Sequence, residues 1–205
     1  MKNVSKKPHI ALIVGSTRAT RFADIPAQWM LKQAQAREDM TVELVDLRDF
    51  DLPLFNEVAS NAWAPSQSAA AVKWQKKIAE FDGYIFVVAE YNRSITGALK
   101  NALDQAYVEW ARKPLTAFAY GSVGGTRALE HLRTIGVELQ MVPTRNAVHL
   151  GMADFFKVHP GMGGSGNMAD VEDNLAPAAK ASLDELVWWA HATMAAKSES
   201  MAEAA

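Results

Sequence analysis

The chain reads as an α/β protein built on a doubly wound parallel sheet, and three observations carry that expectation. Short apolar runs alternate along the chain with amphipathic stretches of helical period. The run Tyr84-Ile85-Phe86-Val87-Val88 is apolar throughout, as suits a strand covered on both faces. Turn-forming residues follow the strands directly, in Gly15-Ser16-Thr17-Arg18 and again in Gly121-Ser122-Val123-Gly124-Gly125.

The elements follow in order. Ile10 to Val14 is the first strand, and Phe22, Ile25 and Trp29 at helical spacing predict a helix from about Asp24 to Glu38, with Pro26 tolerated in its first turn. Thr41 to Leu47 reads as the second strand. A long connection through Phe50-Asp51-Leu52-Pro53-Leu54-Phe55 lacks periodicity, and such connections are more often functional than idle. Ser66 or Ser68 caps a helix that ends near Phe81, with Trp74, Ile78 and Phe81 inward. After the third strand, Ile95, Ala98, Leu99, Ala102, Leu103 and Ala106 follow the i, i+3, i+4, i+7 template, with Ser94 as the expected N-cap. Leu115 to Tyr120 is the fourth strand, and the helix from Thr126 to about Leu139 buries Leu129, Leu132 and Ile135. Pro143 breaks the fifth strand, Met141 to Leu150, and marks it as an edge. His159 to Gly166 is expected as a mobile loop, Asn174 to Ala195 as the last helix, and the tail beyond Lys197 as disordered. Residues 1–197 then form one domain, since no linker separates two halves that could each fold.

Composition narrows the function. The 205 residues carry a net charge of -2 with both signs interspersed, so the chain has neither a basic stripe for nucleic acid nor the strong acidity of a small electron carrier. It has no cysteine, which excludes disulfides, thiolate metal sites and cysteine nucleophiles and fits a cytosolic setting. The apolar run behind Lys6-Lys7 is too short for a signal peptide, and no run reaches the roughly 20 residues a membrane helix needs. His131, His149 and His159 show no metal-ligand spacing. Adjacent Trp188 and Trp189 cannot both enter one core, so one of them faces a partner chain.

Chemistry concentrates in the loops. Gly15 to Arg21, GSTRATR, joins a strand to a helix with hydroxyls, backbone N–H groups and two arginines, a combination suited to a terminal phosphate. It is neither a P-loop nor a dinucleotide fingerprint. Taken alone, it reads better as a solvated turn with surface arginines. Glu90-Tyr91-Asn92 crowds a carboxylate, an aromatic face and an amide onto one turn that can hydrogen-bond a flat heterocycle. The duller readings are a helix N-terminal acid for Glu90 and a sheet-edge cover for Tyr91. In the third loop, Gly124-Gly125 would let backbone approach a planar ligand closely.

The stretch AEYNRSITGALKNALD, Ala89 to Asp104, resembles the PEYNxSxPGxLKNALD signature of the NADPH-dependent FMN reductase family, flavodoxin-like proteins that include quinone, azo-dye and chromate reductases. The resemblance runs roughly from His9 to Leu150 over three motifs. It departs at Ala89, where the family usually has proline, and at Thr96, where many members have a second.

The resemblance implies strand order 2-1-3-4-5, with the Gly15–Arg18 and Glu90–Asn92 loops facing one crevice at the switch point between the first and third strands. It implies an FMN site formed by Ser16, Thr17, Arg18, Arg21, Glu90, Tyr91, Asn92, Ser94, Ser122, Val123, Gly124 and Gly125. Ser16 and Arg18 would hold the phosphate, Arg21 less securely because many members carry a serine there. NADPH or NADH would supply a hydride to the flavin, and a quinone, azo compound, free flavin or metal oxyanion would then take two electrons. The flavin carries that chemistry, so no catalytic side chain and no metal is expected. A homodimer or homotetramer is implied, with the flavin near the interface. Arg93 is a candidate contact for the nicotinamide phosphates. The rival is a non-enzymatic flavodoxin-like carrier or nucleotide-sensing module.

Overall fold

The computed structural model describes residues 6–203, with the side chains of residues 201–203 left aside. Parallel strands β1 (His9–Val14), β2 (Thr41–Asp46), β3 (Gly83–Ala89) and β4 (Pro114–Tyr120) stand in the order β2-β1-β3-β4. The fifth position is divided between β5 (Val142–Pro143) and β6 (Val148–Leu150), both paired with β4. The sheet is therefore the flavodoxin-like 2-1-3-4-5 arrangement, its last position broken because Pro143 has no N–H to continue the ladder.

The period of two along each strand divides the core into two layers. Leu12 and Val14, Ile85 and Val87, and Phe118 and Tyr120 pack with Trp29 and Met30 of α1 (Asp24–Gln35) and with Leu183 and Leu186 of the last helix. Ala11 and Ile13, Phe86 and Val88, and Ala117 and Ala119 face the other way. They meet Trp74 and Ile78 of α2 (Ala69–Ala79), Leu99 and Leu103 of α3 (Gly97–Asp104), and Leu129 and Leu132 of α4 (Thr126–Glu138). Every residue of β3 and β4 is buried, as the continuous apolar runs require.

The structure amends several expected boundaries. Helix α1 stops at Gln35. Ser68, and not Ser66, caps α2 by accepting from Ala71 N. Ser94 does not cap α3; Thr96 does, accepting from Leu99 N at 3.1 Å. A short helix α5 (Met152–Val158) precedes His159, and it is too brief to show periodicity in sequence. The loop expected to be mobile is folded back through Gly164 N to His159 O at 3.0 Å, Ser165 N to Lys157 O at 2.9 Å and Gly166 N to Val158 O at 3.1 Å. The last helix, α6 (Glu172–Glu203), begins two residues early and continues past Lys197, where the sequence suggested disorder. Residues 204–205 of that expected tail lie outside the described residues, as do residues 1–5 of the expected domain.

The register brings the carboxyl ends of three strands level, pairing Val14 with Val87 and Ala89 with Tyr120. Their following loops gather at one edge of the sheet. Gly15 is needed where the first loop leaves it: Gly15 N donates to Val87 O at 3.0 Å, and a Cβ there would lie 2.9 Å from that oxygen. Thr96 Oγ1 donates to Gly15 O and so ties the first loop to the start of α3.

Candidate functional site

The first loop presents two arginines with opposite roles. Arg21 is buried: Nε donates to Asp24 Oδ1 at 2.8 Å, Nη1 to Ser16 O at 2.6 Å and to Asp46 Oδ1 at 2.8 Å, and Nη2 to Asp46 Oδ2 at 2.6 Å and to Asp24 Oδ1. A guanidinium has five N–H donors, and all five are engaged here. This corrects the expectation that Arg21 holds a phosphate: its donors are taken up within the chain, and it braces the first loop. Burial opposes ionisation of Asp46, but hydrogen bonds from Arg21 and Arg48 outweigh it and hold the carboxyl well below the usual range.

Arg18 is exposed, and among the described residues its one hydrogen bond is a long 3.5 Å contact to Thr20 O. Its guanidinium lies 5.8 Å over the Tyr91 ring, which links the first loop to the second. Thr17 is also exposed, whereas Ser16 lies at the floor of the turn, only 1% exposed. Thr17 and Arg18 are the side chains this turn presents to solvent.

The second loop is a tight turn. Tyr91 N donates to Ser94 O at 2.9 Å and Ser94 N to Tyr91 O at 3.0 Å, around Asn92 at φ 49° and Arg93 at φ 70°. Two central residues with positive φ define a type I′ geometry, one that asparagine tolerates better than arginine. Tyr91, Asn92 and Arg93 are exposed at its tip. The Glu90 carboxylate does not face the crevice as a free acceptor. It pairs with the Arg127 guanidinium and accepts from Arg127 N at 3.2 Å in the first turn of α4. Ser94 Oγ is 2.8 Å from His131 Nδ1, also on α4.

The third loop also departs from expectation. Gly124 and Gly125 are buried, and the space beside them is filled by the protein's own chain. A Cβ on Gly125 would lie 2.6 Å from Tyr120 N, and Gly124 packs on Gly151, where a Cβ would lie 2.2 Å from Gly124 N. The glycines admit neighbouring backbone, and Ser122 and Val123 stand beside them as the exposed rim.

Between the loops is a hollow of about 160 Å³ lined in part by Arg18, Tyr91, Phe22, Tyr120, His159 and Met162. The last four were not expected in the site from the sequence. Tyr120 could have been, as the last residue of a strand at the ligand edge; His159 follows the unforeseen α5 and stacks on Phe22 at 4.6 Å. Burial pushes the Tyr120 phenol far above its ordinary pKa, so it remains a proton donor. A second hollow of about 270 Å³ includes Thr17, Asp51, Leu52, Ala98 and Asn101 in its lining. Asn101 fastens the long connection beside it, donating to Pro53 O at 2.8 Å and accepting from Phe55 N at 2.9 Å. Larger grooves of about 590 and 690 Å³ follow α1 and the start of α6, away from the three loops. Among the described residues, no cluster of His, Asp or Glu could hold a metal ion, and no helix is long and apolar enough to cross a membrane.

A flavodoxin-like sheet with its crevice at the switch point, a free guanidinium on the first turn and an aromatic turn opposite define a nucleotide-binding α/β protein of the flavoprotein class. The comparisons make this specific. A family model described as NADPH-dependent FMN reductase matches residues 8–154, and the chain belongs to that family. It is 34% identical over 145 residues to a Nectria sp protein named NAD(P)H-dependent FMN reductase ntnL, covering 66% of this chain and 72% of that one. It is 34% identical over 140 residues to a 2-hydroxy-1,4-benzoquinone reductase of Burkholderia sp, covering 65% and 72%. In fold it is similar to FerB, a flavoenzyme NAD(P)H:(acceptor) oxidoreductase from Paracoccus denitrificans, with a TM-score of 0.66 and 22% identity over 91% of this chain and 98% of that one. The protein is therefore an oxidoreductase whose cofactors are FMN and NADH or NADPH, which sets aside the carrier and sensing readings.

The residues present fit FMN. The donor set at the first turn, an exposed hydroxyl beside a guanidinium with unused donors, matches a dianionic phosphate. The Tyr91 turn offers an aromatic face 5.8 Å from that guanidinium.

Proposed function

We propose that this chain transfers two electrons from NAD(P)H, through FMN, to a flat acceptor of the quinone or azo type, with free flavin and metal oxyanions as further acceptors. The observation that carries this reading is the pairing of the free Arg18 guanidinium with the exposed Tyr91 turn across one crevice. FMN, when bound, supplies the redox chemistry, accepting a hydride from reduced nicotinamide and passing two electrons on.

The protein's own residues bind and orient. Thr17 and Arg18 hold the phosphate, with Ser16 beneath them. The Tyr91-Asn92 turn meets the flat ring system, and Ser122 and Val123 form its rim. Arg93, exposed at the turn, is placed to meet the nicotinamide phosphates. Arg21, Glu90, Ser94, Gly124 and Gly125 support these groups from behind.

Donor and acceptor use this crevice in turn. Steady-state kinetics with NADPH and a benzoquinone should therefore give parallel double-reciprocal lines, undisturbed by chelators. Intersecting lines with a demonstrated ternary complex would contradict a shared place.

The working unit is a homodimer or a homotetramer. Leu54, Val58 and Trp63 on the long connection are 82%, 95% and 87% exposed, and Trp188 is 63% exposed while Trp189 is half-buried. Apolar groups left this open favour a partner surface. Sedimentation at micromolar concentration should show a dimer or larger; a fully active monomer would remove the shared-interface proposal and leave the flavin assignment intact. The absence of cysteine suits a cytoplasmic setting.

A further inference from the structure

The Tyr91 turn holds two non-glycine residues at positive φ, Asn92 at 49° and Arg93 at 70°, a conformation that persists only where the surroundings over-determine it. Its own two hydrogen bonds supply part of the constraint. The rest comes from α4. The Glu90 side chain, 6% exposed, meets the Arg127 guanidinium and backbone N–H immediately before the turn. Ser94, which closes the turn, meets His131 one helical turn further along α4, at 2.8 Å. Arg127 and His131 are four residues apart and so share one face of the helix. The turn is gripped at both ends by one rigid element.

We propose that Arg127 and His131 are positioning residues, and that α4 acts as a splint holding the Tyr91–Ser94 turn in its ligand-ready shape before FMN arrives. This deepens the reading of the crevice as the FMN site and rests on it. Without the splint, binding would have to order the turn, and affinity would fall by the fraction of protein in which the turn is already correct. The ion pair is asymmetric. Removing Arg127 leaves the buried Glu90 carboxylate without its cation, which drives the loop outward toward water. Neutralising Glu90 in the same protein removes that drive.

The test is titration of the full-length apoprotein with FMN, followed by flavin fluorescence and by visible circular dichroism of the bound flavin. The wild type must bind FMN first; if it does not, the FMN reading itself fails and the splint is not what failed. Given binding, Arg127→Met should raise the FMN Kd about tenfold or more and alter the circular dichroism of the bound flavin. The double variant Glu90→Gln/Arg127→Met should recover much of that loss, because no unpaired charge remains. A direct contact of Arg127 with FMN would give no recovery, and that result would overturn the proposal. His131→Ala changes only a surface contact and should fold even if the Arg127 variants do not. It should raise the Kd by about two- to fivefold without changing the thermal midpoint of the apoprotein. An unaltered Kd and spectrum in His131→Ala would equally overturn the splint.

Discussion

Arg21→Ala should destabilise the fold by about 3 to 5 kcal/mol, the cost of breaking a buried ion pair by removing one partner. The Arg21 side chain is 2% exposed and that of Asp46 13%, so a carboxylate left with only the more exposed Arg48 as its cation cannot recover its full solvation without opening the end of β2. Ser16 O would lose its donor as well, and the first loop would lose its brace. The interaction also sets an acid dependence. Asp46 is held below its ordinary pKa in the folded protein, so the folded state binds fewer protons than the unfolded state as pH falls. The contribution is complete above the unfolded aspartate value of about 3.9 and is lost progressively below it. Urea unfolding between pH 3 and 7 should show wild-type stability falling below about pH 4, with a shallower fall in Arg21→Ala. Equal stabilities at neutral pH would show that the brace is not structural.

Arg18→Ala should do the reverse. Its guanidinium is exposed and bonded only weakly within the protein, so stability should stay within about 0.5 kcal/mol of wild type. Loss of a charge-assisted hydrogen bond to phosphate should cost about 1.5 to 3 kcal/mol of binding, roughly tenfold to over a hundredfold in FMN affinity. Turnover at saturating FMN should change much less, since the proposed contact of Arg18 is with the distal phosphate and not with the flavin ring. Collapsed turnover with unaltered FMN affinity would assign Arg18 to the reaction instead. The two neighbouring arginines thus separate, one by unfolding and the other by titration.

The strands were legible because β3 and β4 are buried on both faces, and only an unbroken apolar run survives there. Helices α2, α3 and α4 announced themselves by period. The amended features depend on distant partners. Ser94 and Thr96 are equally good caps by composition, and Thr96 takes the position while its hydroxyl also reaches Gly15 O, a contact 81 residues away in sequence. Arg21 resembles Arg18 in sequence and is set apart by Asp46, 25 residues on. The paired glycines suggest room for a ligand, whereas the close approach that requires them is that of the chain's own backbone at Tyr120 and Gly151. Helix α5 is seven residues long, below the length at which periodicity distinguishes helix from strand.

The central claim is that the crevice between the first two loops is built for a phosphorylated flavin, and titrating the apoprotein with FMN and with riboflavin under identical conditions tests it directly. The two ligands differ only in the terminal phosphate, so the ratio of their dissociation constants isolates the contribution of the Thr17–Arg18 turn. FMN should bind at least about tenfold more tightly, with the advantage shrinking as salt is raised. Riboflavin binding as tightly as FMN would contradict the account, because the first loop would then have no phosphate to hold.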